Sequence, residues 1–139
     1  MEREFEQTLA ILEYLQLQME LLEKQMENIQ NAINDYMLAK KTLEEYAKVG
    51  DEEVLIPVGG GILVYGKLSK EKKVIMNMGS GVSFELSWDE AVKKIDERLK
   101  ELENAQKSTM ETIEAVRNKY AQYLSHAEEL QRRMKIEER

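Results

Sequence analysis

Hydrophobic residues recur at alternating steps of three and four between Glu2 and Val49, a stretch without proline or glycine. With Phe5 at heptad position a, every a and d position is apolar except Thr8 and Lys40. The a and d positions form a narrow apolar row along one face of the helix, which we call the seam. Such a row can be buried only against another narrow row, so residues 1–49 are predicted to form a coiled-coil helix. The a and d positions are Phe5, Thr8, Leu12, Leu15, Met19, Leu22, Met26, Ile29, Ile33, Tyr36, Lys40, Leu43 and Ala47. Gly50 is expected to end the helix in the left-handed conformation.

A second heptad pattern occupies residues 88–139. Ser87 and Glu90 form a capping-box pair, which predicts that the helix starts between them. Its seam is apolar except at Gln106 and Thr109, where polar side chains can set the register of the pairing. The seam positions are Trp88, Val92, Ile95, Leu99, Leu102, Gln106, Thr109, Ile113, Val116, Tyr120, Tyr123, Ala127, Leu130 and Met134.

Two similar heptad runs joined by a compact segment are best paired antiparallel within one chain. This pairing places Lys40 opposite the neighbourhood of Ile95 and Asp96. A carboxylate in that neighbourhood would be able to neutralise the charge of Lys40, which the sequence alone does not show.

Residues 53–87 follow a period of two and hold the single proline and six of the seven glycines. Alternating residues separated by turns at 59–61, 69–71 and 79–81 predict two successive β-hairpins. Pro57 has no backbone N–H, so its strand is expected at an edge or with Pro57 at a non-bonded position. The predicted fold class is α+β, one domain with a long antiparallel coiled-coil hairpin and two β-hairpins between its helices.

The hairpins are predicted to join subunits. Four short strands leave unpaired edges and apolar faces, which tend to pair with other chains. Closing the strands into a β-barrel with other subunits would remove those edges. The residues predicted to form the assembly surface are Val54, Ile56, Val58, Ile62, Val64, Val74, Met76, Met78, Val82 and Phe84.

The start of the first helix carries apolar residues away from its seam, including Leu9, Tyr14 and Leu21. An antiparallel hairpin brings this end together with the end of the second helix. Exposed apolar surface there indicates an interaction site, unless a wider helical bundle buries it. The predicted site comprises Phe5, Leu9, Ile11, Leu12, Tyr14, Leu15, Leu17, Leu130, Met134 and Ile136.

Composition excludes several classes of function. The net charge is −7 and no face is plainly basic, so nucleic acid is not an expected partner. No apolar run approaches the ~18 residues of a membrane span, so no membrane partner is expected. Cysteine is absent, which excludes disulfides and thiolate metal sites and fits a cytoplasmic location. His126 is the only histidine, and we expect it to be an ordinary solvated side chain with no metal.

A segment from Gly61 to Leu68 has the spacing of a phosphate-binding loop, but Leu68 stands where that loop has Ser or Thr. The residues between its glycines are bulky and strand-forming, so a nucleotide site is not expected. No catalytic set of serine, histidine and carboxylate is supported either. The sequence predicts a non-enzyme without a cofactor.

The chain resembles the prefoldin family, and its α-type subunits in particular. The resemblance is carried by Val54-Leu55-Ile56-Pro57-Val58-Gly59-Gly60-Gly61, by the segment from Val74 to Val82 with its Gly79-Ser80-Gly81, and by the acidic-then-apolar start of the second helix. Because β-type subunits carry a single β-hairpin, two hairpins indicate the α type. The resemblance extends over almost the whole chain.

This resemblance implies an ATP-independent chaperone. Two α-type and four β-type subunits of that family join through their β-hairpins into a double barrel, and the tips of the coiled coils hold unfolded proteins and deliver them to a group II chaperonin. The expected partners are therefore β-type subunits in a hetero-hexamer, unfolded clients and the chaperonin. An α-like homologue that assembles with itself into homo-oligomers or filaments is the alternative.

Overall fold

The computed structural model describes residues 1–138, in the order helix, four strands, helix. The elements are α1 (Glu2–Tyr46), β1 (Val54–Gly59), β2 (Ile62–Gly66), β3 (Lys73–Asn77), β4 (Ser83–Ser87) and α2 (Trp88–Glu137). The predicted α+β fold with two hairpins between two long helices is confirmed. The last residue assigned to the second helix from sequence, 139, lies outside the described residues.

The first compact unit contains Met1–Ala32 and the part of α2 that begins at Leu102. Every buried side chain in this unit occupies a predicted seam position, because a heptad repeat keeps those positions on the face toward the other helix. The helices run antiparallel: Glu4 lies beside His126, and the Gln106 amide donates to Gln30 Oε1 at 2.8 Å. The buried residues are Thr8, Leu12, Leu15, Ile29, Thr109, Ile113, Val116, Ala127 and Leu130.

The second unit, Ile33–Glu101, contains the remaining helical turns and the four strands. Its helices are also antiparallel, since Lys40 Nζ lies 2.8 Å from Asp96 Oδ1. The predicted position of Lys40, opposite the neighbourhood of Ile95 and Asp96, is confirmed. The hydrogen bond to Asp96, and then its negative charge, raise the pKa of Lys40. The lysine at this seam position therefore lies where a carboxylate is available to pair with it.

The predicted helix start is confirmed, whereas the predicted helix end is wrong. Ser87 Oγ accepts a hydrogen bond from the Glu90 backbone N–H at 3.2 Å, which caps α2. Helix α1 ends at Tyr46, and Gly50 is not in the left-handed conformation. After the helix, the Val49 backbone N–H instead donates a hydrogen bond to the Tyr46 carbonyl oxygen at 3.0 Å, which forms a tight turn. Hydrogen bonds between residues three apart in sequence satisfy the last carbonyl groups of a helix without a left-handed glycine.

The four strands form two separate antiparallel ribbons, β1–β2 and β3–β4. Val54 pairs with Gly66 in the first ribbon, and Lys73 pairs with Ser87 in the second. Gly60 lies at the tip of the first ribbon with φ of 58°, a left-handed conformation that favours glycine. Every strand of a two-stranded ribbon is an edge, so Pro57 lies on an edge strand as predicted.

Candidate functional site

The first candidate surface is a group of apolar side chains near the start of α1, which we call the α1 patch: Leu9, Ile11, Tyr14, Leu17 and Leu21. All of them are exposed, and Tyr14, Leu17 and Leu21 expose 61%, 60% and 72% of their surface. No other part of the described chain covers them, which disagrees with a wider bundle formed by this chain alone. Exposed apolar clusters are typical of interaction surfaces, which makes the α1 patch a candidate binding site.

Three residues assigned to this site from sequence are not accessible, because they are buried at the seam positions that the heptad pattern also gave them. Leu12, Leu15 and Leu130 are buried, so they hold the two helices together and are not available to a partner. Phe5 and Met134 are half-buried at the edge of the seam, and Ile136 is exposed. Leu21 was outside the predicted site although its off-seam position was a sufficient signal. The accessible surface is therefore the α1 patch with Ile136.

The polar residues around the patch are mostly solvated. His126 Nε2 lies 3.1 Å from Glu4 Oε1, and the His126 side chain is about half exposed. Gln18 donates to the Tyr14 hydroxyl at 3.2 Å. Among residues 1–138 no group of three or more histidine and carboxylate side chains is arranged to hold a metal ion. No helix in that same range is long and apolar enough to cross a membrane.

The second candidate surface is the pair of β-ribbons. In the first ribbon both faces expose apolar side chains: Ile56 and Val64 on one face, and Leu55, Leu63 and Tyr65 on the other. Sequence reasoning selected only the first of these faces. Apolar residues on both faces are the signal of strands that become covered on both sides.

The second ribbon is covered only in part. Val74 and Met76 are half-buried, and they line a groove of about 420 Å³ together with residues of α1 and α2 such as Leu43 and Ile95. Ile75 also borders this groove but exposes 78% of its surface. Val74 and Met76 therefore lie beside residues of the helices, whereas Phe84, which pairs with Met76, and Val82 remain exposed.

The segment with phosphate-loop spacing forms part of the first ribbon. The residues from Ile62 to Gly66 are strand β2, paired with β1. A phosphate-binding loop needs successive N–H groups turned toward one anion and a helix immediately after it. The next element along the chain is strand β3, so this segment has the geometry of a hairpin.

These features define a class of protein, two antiparallel heptad helices joined by paired β-hairpins, and comparisons with known proteins identify its family. Residues 15–133 match the model of the prefoldin subunit family. The chain belongs to the prefoldin family.

Comparison with individual relatives shows which type of prefoldin subunit the chain resembles. The prefoldin α subunit of Pyrococcus horikoshii is 28% identical over 136 residues, which cover 96% of this chain and 92% of that protein. A putative prefoldin α subunit of Aquifex aeolicus is 34% identical over 106 residues, covering 76% and 71%. These relatives confirm the α-type assignment made from the two hairpins.

A solved structure has the same fold. The cryo-EM structure of filamentous PFD from Methanocaldococcus jannaschii matches with a TM-score of 0.71 and 25% identity, over 82% of this chain and 95% of that one. Family membership places the chain among chaperone-type, non-enzymatic proteins whose subunits form oligomeric complexes with other prefoldin subunits.

Proposed function

We propose that this chain is a subunit of an ATP-independent holdase that binds unfolded proteins at the α1 patch. The observation that carries the proposal is that five apolar side chains outside the seam stay exposed while their seam neighbours are buried. An apolar side chain left in water gains free energy when a client's apolar side chain covers it, at about 25 cal/mol per Å². The α1 patch and Ile136 are the proposed client-binding residues.

The two β-ribbons are the proposed assembly surface. Each ribbon has two unpaired edges and exposed apolar side chains, and an isolated two-stranded ribbon has marginal stability in water. Closure into a β-barrel with β-type subunits, in a hetero-hexamer, would pair the edges and cover both faces.

Assembly would also account for capture and release without ATP. One patch of five side chains makes a weak contact. Several patches in one assembly bind the same client with a higher effective concentration, so the weak contacts add up while each remains reversible. Transfer of the client to a group II chaperonin in the cytoplasm completes the proposed function.

Light scattering of a denatured client, diluted in the presence of the assembled protein, tests the proposal. The unaltered chain is expected to suppress aggregation. A variant with Leu9→Ser, Tyr14→Ser and Leu17→Ser is expected to lose most of this protection, because it removes apolar surface without touching the seam. Its assembly state, measured by size-exclusion chromatography, should not change.

A control variant carries Met37→Ser and Met110→Ser, two exposed methionines outside the α1 patch. It should protect as well as the unaltered chain. Full protection by the triple variant would overturn the proposed site.

The second candidate is a homo-oligomer or filament that serves as a coiled-coil scaffold. It is favoured by the likeness to filamentous PFD from Methanocaldococcus jannaschii. Multi-angle light scattering of the purified chain distinguishes the candidates. Large species formed by the chain alone would support the scaffold, and a small oligomer that grows only when a β-type subunit is added would support the hetero-hexameric chaperone.

A further inference from the structure

A row of apolar residues on α1, which includes three members of the α1 patch, has the regular spacing of a second seam. Ala10, Tyr14, Leu17 and Leu21 are separated by four, three and four residues, which is the spacing of core positions in a coiled coil. They occupy the face of α1 opposite the buried seam, and all four are exposed. We call these four residues the outer stripe. An apolar row with this period matches another α-helix, whereas an extended chain presents side chains with a period of two.

The two borders of the outer stripe differ in charge. One border is a row of glutamates spaced by seven: Glu6, Glu13, Glu20 and Glu27. Within residues 1–138, Glu27 is the only member of this row with an ion pair, to Lys24 at 3.7 Å. The other border holds Ile11, Gln18 and Gln25 and carries no charge there. In coiled coils, the residues that border the core select the partner by charge.

The outer stripe is short. Polar residues occupy the same face on either side of it, Gln7 before Ala10 and Lys24 after Leu21. The stripe is therefore about three helical turns long, roughly 17 Å at 1.5 Å per residue. A helix of that length is marginal in water by itself and gains stability from packing its apolar face. A short segment of an incompletely folded protein has these properties.

We propose that the outer stripe binds a client segment as an amphipathic α-helix whose apolar row is bordered by lysine or arginine. This inference rests on the proposed client binding at the α1 patch and adds the conformation and charge of what is bound. A second copy of the stripe fits less well in the antiparallel orientation, because the glutamate row would then face itself and like charges repel.

Binding of labelled synthetic peptides to the assembled protein tests the inference by fluorescence anisotropy. The first peptide has 18 residues, with leucines at alternating steps of three and four and lysines beside them. The second replaces each lysine by glutamate. The third keeps the composition of the first but scrambles the leucine spacing, and the fourth places a proline at its centre to break the helix.

We expect the first peptide to bind about tenfold more tightly than the second, since several ion pairs of a few tenths of a kcal/mol each add to that ratio. The scrambled and proline peptides should bind at least tenfold more weakly than the first, and the first should gain helical circular dichroism on binding. Leu17→Ser with Leu21→Ser should abolish its binding.

A charge variant provides a test that leaves the apolar row intact. Glu13→Gln with Glu20→Gln should reduce the preference for the lysine peptide about threefold. The matched control, Glu111→Gln with Glu114→Gln on α2, changes the net charge equally and should leave the preference unchanged.

Equal binding of the first and fourth peptides, or no binding of any peptide, would overturn the inference. Equal binding of the lysine and glutamate peptides would overturn its charge component. The aggregation assay separates these outcomes from the holdase proposal: if the Leu9, Tyr14 and Leu17 variant still loses protection, client capture at the α1 patch stands without helix selectivity. Self-association that disappears in the Leu17 and Leu21 variant would assign the stripe to a second copy instead.

Discussion

The paired helices and the β-ribbons both expose apolar side chains, but for different physical reasons. In the helical unit the backbone hydrogen bonds are satisfied within each helix, and the seam is covered by the other helix of the same chain. Leu15 is 5% exposed and Leu17 is 60% exposed, two residues apart. In the ribbons, the strand edges lack partners and apolar residues such as Leu63 and Val64 are exposed on opposite faces.

This difference distinguishes an apolar surface available for binding, on the helices, from an apolar surface needed for assembly, on the ribbons. A helix with one partner is complete, so apolar residues outside its seam are not needed for folding and are available for binding. A two-stranded ribbon is incomplete without further strands, so its apolar residues are needed for assembly. The following predictions test this separation, starting with the largest expected effect.

Leu15→Ala and Leu17→Ala compare a seam residue with an exposed one. Loss of the buried Leu15 side chain should lower the free energy of unfolding by about 2–5 kcal/mol, because it removes packed apolar contacts and leaves a cavity. Leu17→Ala should change it by less than about 0.5 kcal/mol. Chemical denaturation followed by circular dichroism measures both, and equal losses would contradict the assignment of the seam.

Phe84→Asp should weaken assembly while leaving the helices folded. Phe84 is exposed on β4, and an aspartate there would have to be desolvated in the assembled state. The dissociation constant of the assembly should rise by about thirtyfold or more, which is the effect expected when a hot-spot residue of an interface is replaced. Light scattering across a dilution series gives this constant.

Ser83→Asp, at the neighbouring exposed position, is the matched control because it adds the same charge without removing apolar surface. Assembly that tolerates Phe84→Asp as well as Ser83→Asp would contradict an assembly role for this ribbon.

Gly60→Ala should destabilise the first ribbon locally by about 1–2 kcal/mol, because a residue with a Cβ is strained in the left-handed conformation. Amide hydrogen exchange of β1 and β2 reports this loss. Gly50→Ala is the control: Gly50 lies outside the left-handed region and a Cβ there meets nothing within 4 Å. Similar exchange in the two variants would argue against strain at the ribbon tip.

The Lys40–Asp96 pair should give the smallest effect, because both side chains are partly solvated and salt screens them. Asp96 raises the pKa of Lys40 above its ordinary value of 10.5. The stabilisation is therefore fully present below pH 10.5 and is lost as the pH rises through the higher pKa of the folded state. The melting temperatures of the unaltered chain and of Asp96→Asn should converge in that alkaline range. A constant difference between the two melting temperatures across that range would exclude the pair as its cause.

The sequence by itself determined the helices, the hairpins and the family. Heptad spacing identified the seam because the period of a helix fixes which side chains share a face, whatever the partner. Thr8 and Thr109 were recognised as polar seam positions for the same reason, and both are buried. Turn glycines and a period of two located the ribbons, since both are local properties of the backbone.

Only the tertiary structure decided which apolar residues remain available. Heptad spacing placed Leu12, Leu15 and Leu130 on the seam, but whether another element would also cover the off-seam residues Leu9 and Leu17 depended on how the chain packs, and both are exposed. The partial covering of Val74 and Met76 beside the helices also depended on distant parts of the chain. Local periodicity selects a face of an element, but the element packed against that face determines what stays in water.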